Sequence, residues 1–322
     1  MRAIRVHETG GPEALRLADA EEPRPGPGEA VVRLDAVGVN FIEVYQRKGL
    51  YALPLPFTPG AEGAGTVVAV GDGVTSVRVG ERVASETLKA AYAELAVARA
   101  ERLVSLPDGV DTRTGAAVML QGLTAHYLAT STAPLAKGDW CVVHAGAGGV
   151  GLLLTQIATR LGARVIATVS TAEKEALARE AGAEHVVRYT EQDFAAEARR
   201  LTDGRGVQVV YDSVGRTTVD ASLDALARRG TMVLFGQSSG PVPPFDPQVL
   251  NRKGSLFLTR PTLAHYVETR AELEARSAEL LGWVADGSLR VRVGAEFPLG
   301  DAGAAHEALE SRGTTGKVLL IP

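Results

Sequence analysis

Residues 145–151 read Ala-Gly-Ala-Gly-Gly-Val-Gly. This glycine-rich stretch lies between an apolar run, Trp140 to His144, and an apolar helix-like run, Leu152 to Leu161. It carries glycine at the three positions of the dinucleotide-binding fingerprint, which joins a strand to a helix. The N-terminus of such a helix presents free N–H groups and a positive dipole end to phosphate. The pattern therefore predicts a nucleotide-binding turn, in which the residues that contact the cofactor are Gly146, Ala147, Gly148, Gly149, Val150 and Gly151.

The end of the next predicted strand, Arg164 to Val169, indicates which dinucleotide binds. An NAD-preferring site carries a carboxylate there, about 20 residues beyond the glycines. This chain has Ser170 and Thr171 instead, followed by Lys174. Hydroxyl groups and an ammonium favour a 2′-phosphate, so these residues predict NADP(H) as the cofactor. A local alternative is a capping box between Ser170 and Glu173, which would need no ligand.

Strands and helices alternate from residue 140 onwards, which predicts an α/β fold with a doubly wound parallel sheet of the Rossmann type. The predicted strands are Trp140 to His144, Arg164 to Val169, His185 to Tyr189, Val207 to Asp212, Thr231 to Gly236 and Ser255 to Leu258. The predicted helices are Leu152 to Leu161, Ala172 to Ala181, Asp193 to Leu201 and Thr218 to Ala227.

The regions before and after this alternation have a different pattern. Short β-branched runs broken by glycine and proline, such as Ala30 to Leu34, predict a β-rich unit in the first third. The last third returns to that pattern after a long predicted helix, Leu263 to Ala285, and closes with a short helix at Ala302 to Glu310 and a strand at Lys317 to Ile321. We therefore expect a Rossmann-type domain, residues 123–263, inserted into a β-rich domain formed by residues 1–122 and 264–322.

The composition excludes several classes of protein. With 45% hydrophobic residues, 22% charged residues and a formal net charge of −4, the chain has no basic field for a polyanion, so nucleic acid is not expected as a partner. No apolar run approaches membrane-spanning length, and we expect no leader before the predicted strand Arg2 to His7. We expect a cytoplasmic protein with no membrane partner. The single cysteine, Cys141, is predicted to be a buried apolar residue.

A second glycine-rich segment points to a superfamily. Pro59 to Gly65 reads Pro-Gly-Ala-Glu-Gly-Ala-Gly. Together with the β-rich first third and the glycine fingerprint, it resembles the medium-chain dehydrogenase/reductase superfamily. The alcohol dehydrogenases of that superfamily carry Gly-His-Glu at this point, and the histidine is a ligand of the catalytic zinc, whereas this chain has Ala61. Zinc sites of that kind also need cysteine thiolates, which one cysteine cannot supply, so no metal site is expected.

The whole chain is similar to the zinc-free quinone oxidoreductases of that superfamily, also called the zeta-crystallin type. The matching segments are Gly10 to Glu13, Val37 to Ile42, Lys48 to Tyr51, Gln121 to Thr124, His144 to Gly151, Val210 to Gly215, Phe235 to Gly240, Phe257 to Pro261, Leu309 to Arg312 and Leu319 to Pro322. The resemblance implies an NADPH-dependent quinone oxidoreductase with a GroES-like catalytic domain and a Rossmann-type domain. It also implies a cofactor in the cleft between the two domains and a homodimeric assembly.

The resemblance further implies roles for individual residues. The catalytic residues on the nicotinamide and substrate side would be Asn40, Tyr45 and Tyr51, and Asn40 would also contact the cofactor. The other cofactor contacts, besides the glycine-rich turn, would be Gln121, Thr124, Ser170, Thr171, Lys174, Tyr189, Ser213, Phe235, Gly236, Gln237, Phe257, Leu258 and Arg312.

Local structural roles are open for several of these residues. Asn40 could be a strand-end residue bonded to nearby backbone. Tyr45 and Tyr51 could be half-buried aromatic residues, and Arg312 could cap the C-terminus of a helix. The histidines near the site, His126 and His144, are expected to be structural, because a single titratable ring without a partner identifies no mechanism.

The expected chemistry needs hydrogen-bond donors and no metal. Hydride transfer to a quinone leaves negative charge on an oxygen that the ring delocalises, so a Lewis acid is not required. We expect the Asn40 amide and the hydroxyls of Tyr45 and Tyr51 to be the donors, with water as the final proton source. One-electron transfer, reduction of an enone or alkenal double bond, and an NADPH-binding crystallin-like protein with little catalysis remain alternatives. A homodimer is expected to form through edge strands of the Rossmann-type sheet, Thr231 to Phe235 and Ser255 to Leu258.

Overall fold

The computed structural model describes all 322 residues, which divide into two compact units. We call residues Met1–Leu123 with Val267–Pro322 the β-rich unit, and residues Thr124–Tyr266 the Rossmann unit. The chain therefore leaves the β-rich unit after residue 123, against 122 in the prediction, and returns at 267, against 264.

The regular elements are numbered along the chain. The strands are β1 (Arg2–Arg5), β2 (Arg16–Asp19), β3 (Glu29–Val39), β4 (Glu62–Val70), β5 (Arg82–Ser85), β6 (Leu95–Arg99), β7 (Val104–Ser105), β8 (Trp140–Val143), β9 (Arg164–Val169), β10 (His185–Arg188), β11 (Val207–Asp212), β12 (Leu226–Leu234), β13 (Phe257–Thr259), β14 (Val293–Pro298) and β15 (Lys317–Ile321). The α-helices are α1 (Phe41–Arg47), α2 (Thr112–Tyr127), α3 (Gly149–Arg160), α4 (Ala172–Glu180), α5 (Phe194–Leu201), α6 (Val219–Ala225), α7 (Gln248–Arg252), α8 (Arg270–Ala285) and α9 (Ala302–Glu310).

The Rossmann unit contains the predicted parallel sheet. Its six strands are arranged in the order β10-β9-β8-β11-β12-β13, and every neighbouring pair is parallel. Chain order reverses between β8 and β11, which is the point where open α/β sheets bind ligands at the carboxyl ends of their strands. The core is built from β-branched strand residues such as Val142 and Ile166, both fully buried, together with Leu223 of α6. The predicted fold class is confirmed.

The β-rich unit is organised around β3. A sheet with the order β14-β15-β3-β4-β5-β7 contains mostly antiparallel pairs, and β6 also pairs with β3. Apolar side chains of β3, such as Val32 and Val37, are fully or almost fully buried. Because β3 lies between β15 and β4, residues of both strands surround its carboxyl end.

Two sequence predictions about elements are wrong. The long helix predicted for Leu263 to Ala285 is interrupted, because Thr269 and Glu272 form a capping box that starts α8 at Arg270.

The second wrong prediction concerns the edges of the parallel sheet. The segment Thr231 to Phe235 lies mostly in β12, which has β11 on one side and β13 on the other. Of the two strands, only β13 is an edge, so only the segment around Phe257 could pair with a second copy.

None of the helices combines the length and the apolar composition that a membrane-spanning helix requires.

Candidate functional site

The carboxyl edge of the parallel sheet gathers the predicted cofactor residues of the Rossmann unit, apart from Thr124 in α2 and those on β13. Each of the other residues lies in the turn after a strand or in the first turn of the helix that follows. The glycine-rich turn follows β8, Ser170 with Thr171 and Lys174 follows β9, Tyr189 follows β10, Ser213 follows β11, and Phe235 with Gly236 and Gln237 follows β12. Phe257 and Leu258 lie on β13 itself. Parallel strands bring residues that are far apart in sequence to one edge.

The glycine-rich turn has the close packing that a phosphate-binding turn needs. A Cβ atom at Gly146 would lie 2.8 Å from the Cβ of Ala167 on β9. At Gly151 it would lie 2.9 Å from the Cα of Gly146 and overlap the carbonyl oxygen of Ala145. Gly148 is the N-cap of α3, so the first N–H groups of that helix are presented beside bare backbone. These residues fit the pyrophosphate of a dinucleotide.

The start of α4 follows the end of β9 and corrects one local prediction. The N-cap is Thr171, whose hydroxyl oxygen accepts a hydrogen bond from the backbone N–H of Lys174 at 3.3 Å. The alternative capping box between Ser170 and Glu173 is therefore wrong. Ser170 is half-buried, and no acidic residue occupies the turn from the strand end to the helix cap. The arrangement suits a 2′-phosphate better than a free ribose hydroxyl pair.

His144 and Asp212 form a buried polar cluster at the ends of β8 and β11. Asp212 accepts hydrogen bonds from the N–H groups of Val214 and Gly215, at 2.7 and 2.9 Å. The Asp212 carboxylate also accepts from the Ser222 hydroxyl, and that hydroxyl lies 3.0 Å from Nε2 of His144. Burial lowers the pKa of His144, and the nearby carboxylate of Asp212 only opposes that change. The cluster fixes the turn after β11 and keeps the histidine neutral.

His126 is also almost fully buried, and its backbone carbonyl accepts a hydrogen bond from the hydroxyl of Thr130 at 2.7 Å. The low exposure shows that His126 is a packed side chain of α2.

Strand register creates a second polar cluster, in the β-rich unit. β15 pairs with β3 so that Val318 faces Val39, which places Lys317 beside Asn40. β4 pairs with β3 so that Glu62 faces Gly38. The exposed fractions of Lys317 and Glu62 are 1% and 0%, and that of Asn40 is 5%. We call these three residues the Asn40 cluster.

The side chain of Asn40 has partners on both of its polar atoms. Its Oδ1 accepts hydrogen bonds from Nζ of Lys317 at 2.7 Å and from Nε2 of Gln121 at 3.2 Å. Its Nδ2 donates to Oε2 of Glu62 at 2.9 Å and, more weakly, to the carbonyl oxygen of Gly38 at 3.4 Å. Lys317 is also ion-paired with Glu62. One Nδ2 hydrogen is therefore held only loosely.

Two further polar groups surround this cluster. Glu43, in the first turn of α1, is fully buried and its Oε2 accepts from the backbone N–H of Asn40 at 2.8 Å. Burial raises the pKa of Glu43 to about 8, although the positive charge of Lys317 opposes the rise. Oε1 of Gln121 is a buried acceptor with no hydrogen-bond partner in the chain. Such an atom fits a ligand that brings its own donor.

Tyr45 and Tyr51 lie next to one another after Asn40. Their ring centroids are 5.4 Å apart with an interplanar angle of 66°, and the backbone N–H of Tyr51 donates to the carbonyl oxygen of Tyr45. Tyr45 is 9% exposed and Tyr51 is 38% exposed. Of the two hydroxyl-bearing rings, Tyr51 is thus the more accessible to a bound molecule.

Arg312 belongs to the β-rich unit and follows the C-terminus of α9. Its backbone is left-handed, with φ of 59°, and its N–H donates to the carbonyl oxygen of Leu309. This is the geometry of a residue that closes a helix. A role of Arg312 toward a phosphate stays a prediction.

Sequence reasoning missed three residues with ionisable side chains around Asn40. Lys317, Glu62 and Glu43 are functional candidates because all three are buried and surround one side chain. A signal was available: Lys317 opens an otherwise apolar strand, and Glu62 stands among alanine and glycine. Charged residues in such runs need a buried partner.

The positions associated with zinc in related dehydrogenases do not provide ligands here. Ala61 has no donor atom, and Cys141 is fully buried in β8, where burial raises the pKa of its thiol to about 12. No group of three or more His, Cys, Asp and Glu side chains is arranged to hold a metal ion.

Comparison with known proteins agrees with this arrangement. Residues 26–137 match the protein-family model described as "Alcohol dehydrogenase GroES-like domain", and residues 149–276 match the one described as "Zinc-binding dehydrogenase". A curated quinone oxidoreductase of Pseudomonas aeruginosa is 47% identical over 100% of this chain and 99% of its own length. The chain belongs to the quinone oxidoreductases of the medium-chain dehydrogenase/reductase superfamily. Because it lacks the histidine and cysteine ligands of the zinc enzymes, it is one of the zinc-free members.

Two solved structures are similar over the full chain. A mycobacterial protein complexed with NADPH has a TM-score of 0.98 and 52% identity, with 100% of both chains covered. The quinone oxidoreductase of Escherichia coli complexed with NADPH also has a TM-score of 0.98, with 44% identity and 100% of both chains covered.

Proposed function

We propose that this protein is an NADPH-dependent quinone oxidoreductase. The observation that carries the proposal is the full-length likeness to a quinone oxidoreductase complexed with NADPH, at 44% identity and a TM-score of 0.98. The glycine-rich turn and the carboxyl edge of the parallel sheet supply a dinucleotide site of the matching kind.

The phosphate groups of NADPH would be held by residues of the Rossmann unit. The N–H groups at the start of α3 suit the pyrophosphate, and Ser170, Thr171 and Lys174 suit the 2′-phosphate. Oε1 of Gln121 is an unpartnered acceptor for an amide donor such as the nicotinamide carboxamide. When bound, NADPH supplies the hydride.

The residues of the β-rich unit position the quinone and stabilise charge on its oxygen. The loosely held Nδ2 hydrogen of Asn40 is one donor, and the hydroxyls of Tyr45 and Tyr51 are the others. Donors fixed before the reaction stabilise developing negative charge without reorganising. In this proposal the three groups donate hydrogen bonds only, and the final proton comes from water.

The proposal also includes a cytoplasmic location. It further includes a homodimer that forms through β13. β13 is an edge strand, and its Phe257 is 60% exposed, as expected for a side chain that a second copy would cover. A subunit mass measured in solution at micromolar concentration, compared between the wild-type chain and Phe257→Glu, tests the assembly. A wild-type monomer contradicts it.

The experiment that tests the activity follows oxidation of NADPH with a panel of quinones and, in parallel, with enones and alkenals. NADH is the matched control for the cofactor. Quinone-dependent oxidation of NADPH is expected, with enones and NADH giving much slower rates. Faster turnover of enones would instead favour a double-bond reductase, and binding of NADPH without turnover of any acceptor would favour a crystallin-like role.

A further inference from the structure

Lys317 is a buried lysine with an unusual set of partners. Only 1% of it is exposed, although it is the first residue of a strand. Its Nζ donates to Oδ1 of Asn40 at 2.7 Å and forms an ion pair with Glu62, which is fully buried. Oε1 of Glu62 accepts from the backbone N–H of Leu120 at 2.7 Å, so the carboxylate is fixed through its second oxygen as well.

These partners permit only one orientation of the Asn40 carboxamide. A lysine ammonium has donors and no acceptor, and an ionised carboxylate has acceptors and no donor. Lys317 must therefore face Oδ1, and Glu62 must face Nδ2, as observed at 2.7 and 2.9 Å. Rotating the amide by half a turn would set an NH₂ group against the ammonium and a carbonyl oxygen against the carboxylate.

Stability alone does not explain a buried ion pair of this kind. Removing two charges from water costs free energy that their attraction barely offsets, and packed apolar side chains of similar size often stabilise a fold at least as well. What Lys317 and Glu62 provide that apolar residues could not is the orientation of a polar side chain. That side chain is Asn40, which also accepts from Gln121.

We propose that Lys317 and Glu62 are a positioning pair, which fixes the Asn40 carboxamide with Nδ2 as the donor for the reacting oxygen. The pair does not touch the substrate and acts through Asn40. This inference rests on the proposed function, because it assigns the pair to the same site. The hydrogen on Nδ2 that Gly38 holds at 3.4 Å is the one kept available.

The main test removes both charges together, because removing one would leave the other buried and unpaired. In Lys317→Met/Glu62→Gln the volumes are conserved, and the introduced glutamine can both donate and accept, so the Asn40 amide loses its single orientation. With the fold intact and the dissociation constant of NADPH within about twofold, kcat with a quinone is expected to fall about tenfold, whereas KM for the quinone changes less than about twofold. Unchanged kcat would overturn the proposal.

A second readout does not depend on turnover. In protein labelled with ¹⁵N-asparagine, the side-chain amide signal of Asn40, assigned by its loss in Asn40→Ala, is expected to exchange slowly with deuterium. The double variant is expected to exchange at least about tenfold faster. Equal exchange rates would contradict a positioning role. If the wild-type protein shows no quinone-dependent oxidation of NADPH, the proposed function fails, and the exchange measurement still decides the positioning role on its own.

Two comparisons show whether the pair works through Asn40. In an Asn40→Ala background, adding Lys317→Met/Glu62→Gln is expected to change kcat less than about twofold, whereas a second tenfold loss would show an independent effect and overturn the proposal. The matched control is Lys89→Met/Glu29→Gln, which removes an ion pair of the same unit whose lysine side chain is 64% exposed. It should leave kcat and exchange unchanged.

A conservative variant keeps the test decisive if the double variant does not fold. Lys317→Arg retains a cation that only donates. It is expected to keep slow exchange of the Asn40 amide and kcat within about threefold of wild type. A larger loss of kcat with NADPH binding intact, or fast exchange, would overturn the proposal.

Discussion

The carboxyl group of Glu43 accepts a hydrogen bond from the backbone N–H of Asn40 at 2.8 Å, and it is completely buried. A carboxyl group in the first turn of a helix ordinarily gains from the helix dipole, which favours its ionised form. Here burial dominates and raises the pKa of Glu43 to about 8. Near neutral pH the group is therefore mostly neutral, so Lys317 and Glu62 are the charged pair next to Asn40.

The raised pKa of Glu43 predicts a pH dependence of stability. Between its ordinary value of 4.5 and its folded value of about 8, the folded chain binds a proton that the unfolded chain has released. Its contribution to stability is therefore fully present below about pH 4.5 and is lost as pH rises through about 8. The variant Glu43→Gln cannot ionise, so it should gain stability relative to wild type on raising pH from about 5 to about 9, by an amount on the order of a few kcal/mol.

Chemical denaturation of both proteins across this pH range measures the difference in the free energy of unfolding. Glu21→Gln, the same chemical change at an exposed position, serves as the control and should show no such trend. A difference between wild type and Glu43→Gln that does not vary with pH would show that Glu43 is ionised throughout.

Cofactor preference gives a second prediction, at the end of β9. Lys174 follows Ser170 and the helix cap Thr171, and a charge-assisted hydrogen bond to a phosphate contributes about 1.5–3 kcal/mol. Lys174→Ala should therefore weaken NADPH binding by about tenfold or more and leave NADH binding nearly unchanged. Titration calorimetry with both dinucleotides measures this. Lys137→Ala, which precedes β8 and so lies at the opposite edge of the sheet, should change neither. Equal losses for both dinucleotides would place Lys174 away from the 2′-phosphate.

The parts of the fold that depend on local pattern could be predicted closely. The bounds of β9, β11, β15 and α9 agree with the sequence prediction to the residue, because a serine or a proline follows each of these elements and marks its end. The carboxyl edge of the parallel sheet follows from the same alternation. At the start of α8 the apolar pattern alone predicted the wrong first residue, because the N-cap Thr269, a polar residue, determines where that helix begins.

The Asn40 cluster could not be predicted in this way. Lys317 and Glu62 are separated by 255 positions, and they meet only because β4 and β15 flank β3 in one particular register. A shift of one residue would turn each side chain to the other face of the sheet. Local propensity contains no information about that register. The sequence alone therefore could not predict that these two charged residues form a buried pair.

The two tyrosines give a prediction about turnover. If the hydroxyls of Tyr45 and Tyr51 stabilise charge on the quinone oxygen, removing one should lower kcat about tenfold and leave KM within about twofold. Tyr51→Phe is the sharper test, because Tyr51 is 38% exposed and its ring can change with little effect on packing. Steady-state rates with a fixed quinone measure the effect.

The control for lost hydroxyl groups is Tyr211→Phe. The hydroxyl of Tyr211 donates to the carbonyl oxygen of Ala133 at 2.9 Å inside the Rossmann unit. Its removal should cost about 1 kcal/mol of stability and leave kcat unaltered. If Tyr51→Phe also leaves kcat unaltered, the hydroxyl is not a donor to the reacting oxygen.

The glycine-rich turn gives the last prediction, at Gly151. A methyl group there would overlap the carbonyl oxygen of Ala145 and lie 2.9 Å from the Cα of Gly146, and both are backbone atoms that no side-chain rotation can move away. Gly151→Ala should therefore displace the turn, lower stability by about 1–3 kcal/mol and weaken NADPH binding at least tenfold. Thermal unfolding with and without NADPH measures both effects.

Gly282→Ala is the matched control for Gly151→Ala. Its Cβ would meet open space in α8, so the substitution should stabilise the helix by up to about 1 kcal/mol and leave binding intact. Undiminished NADPH affinity in Gly151→Ala would mean that the cofactor does not depend on this turn.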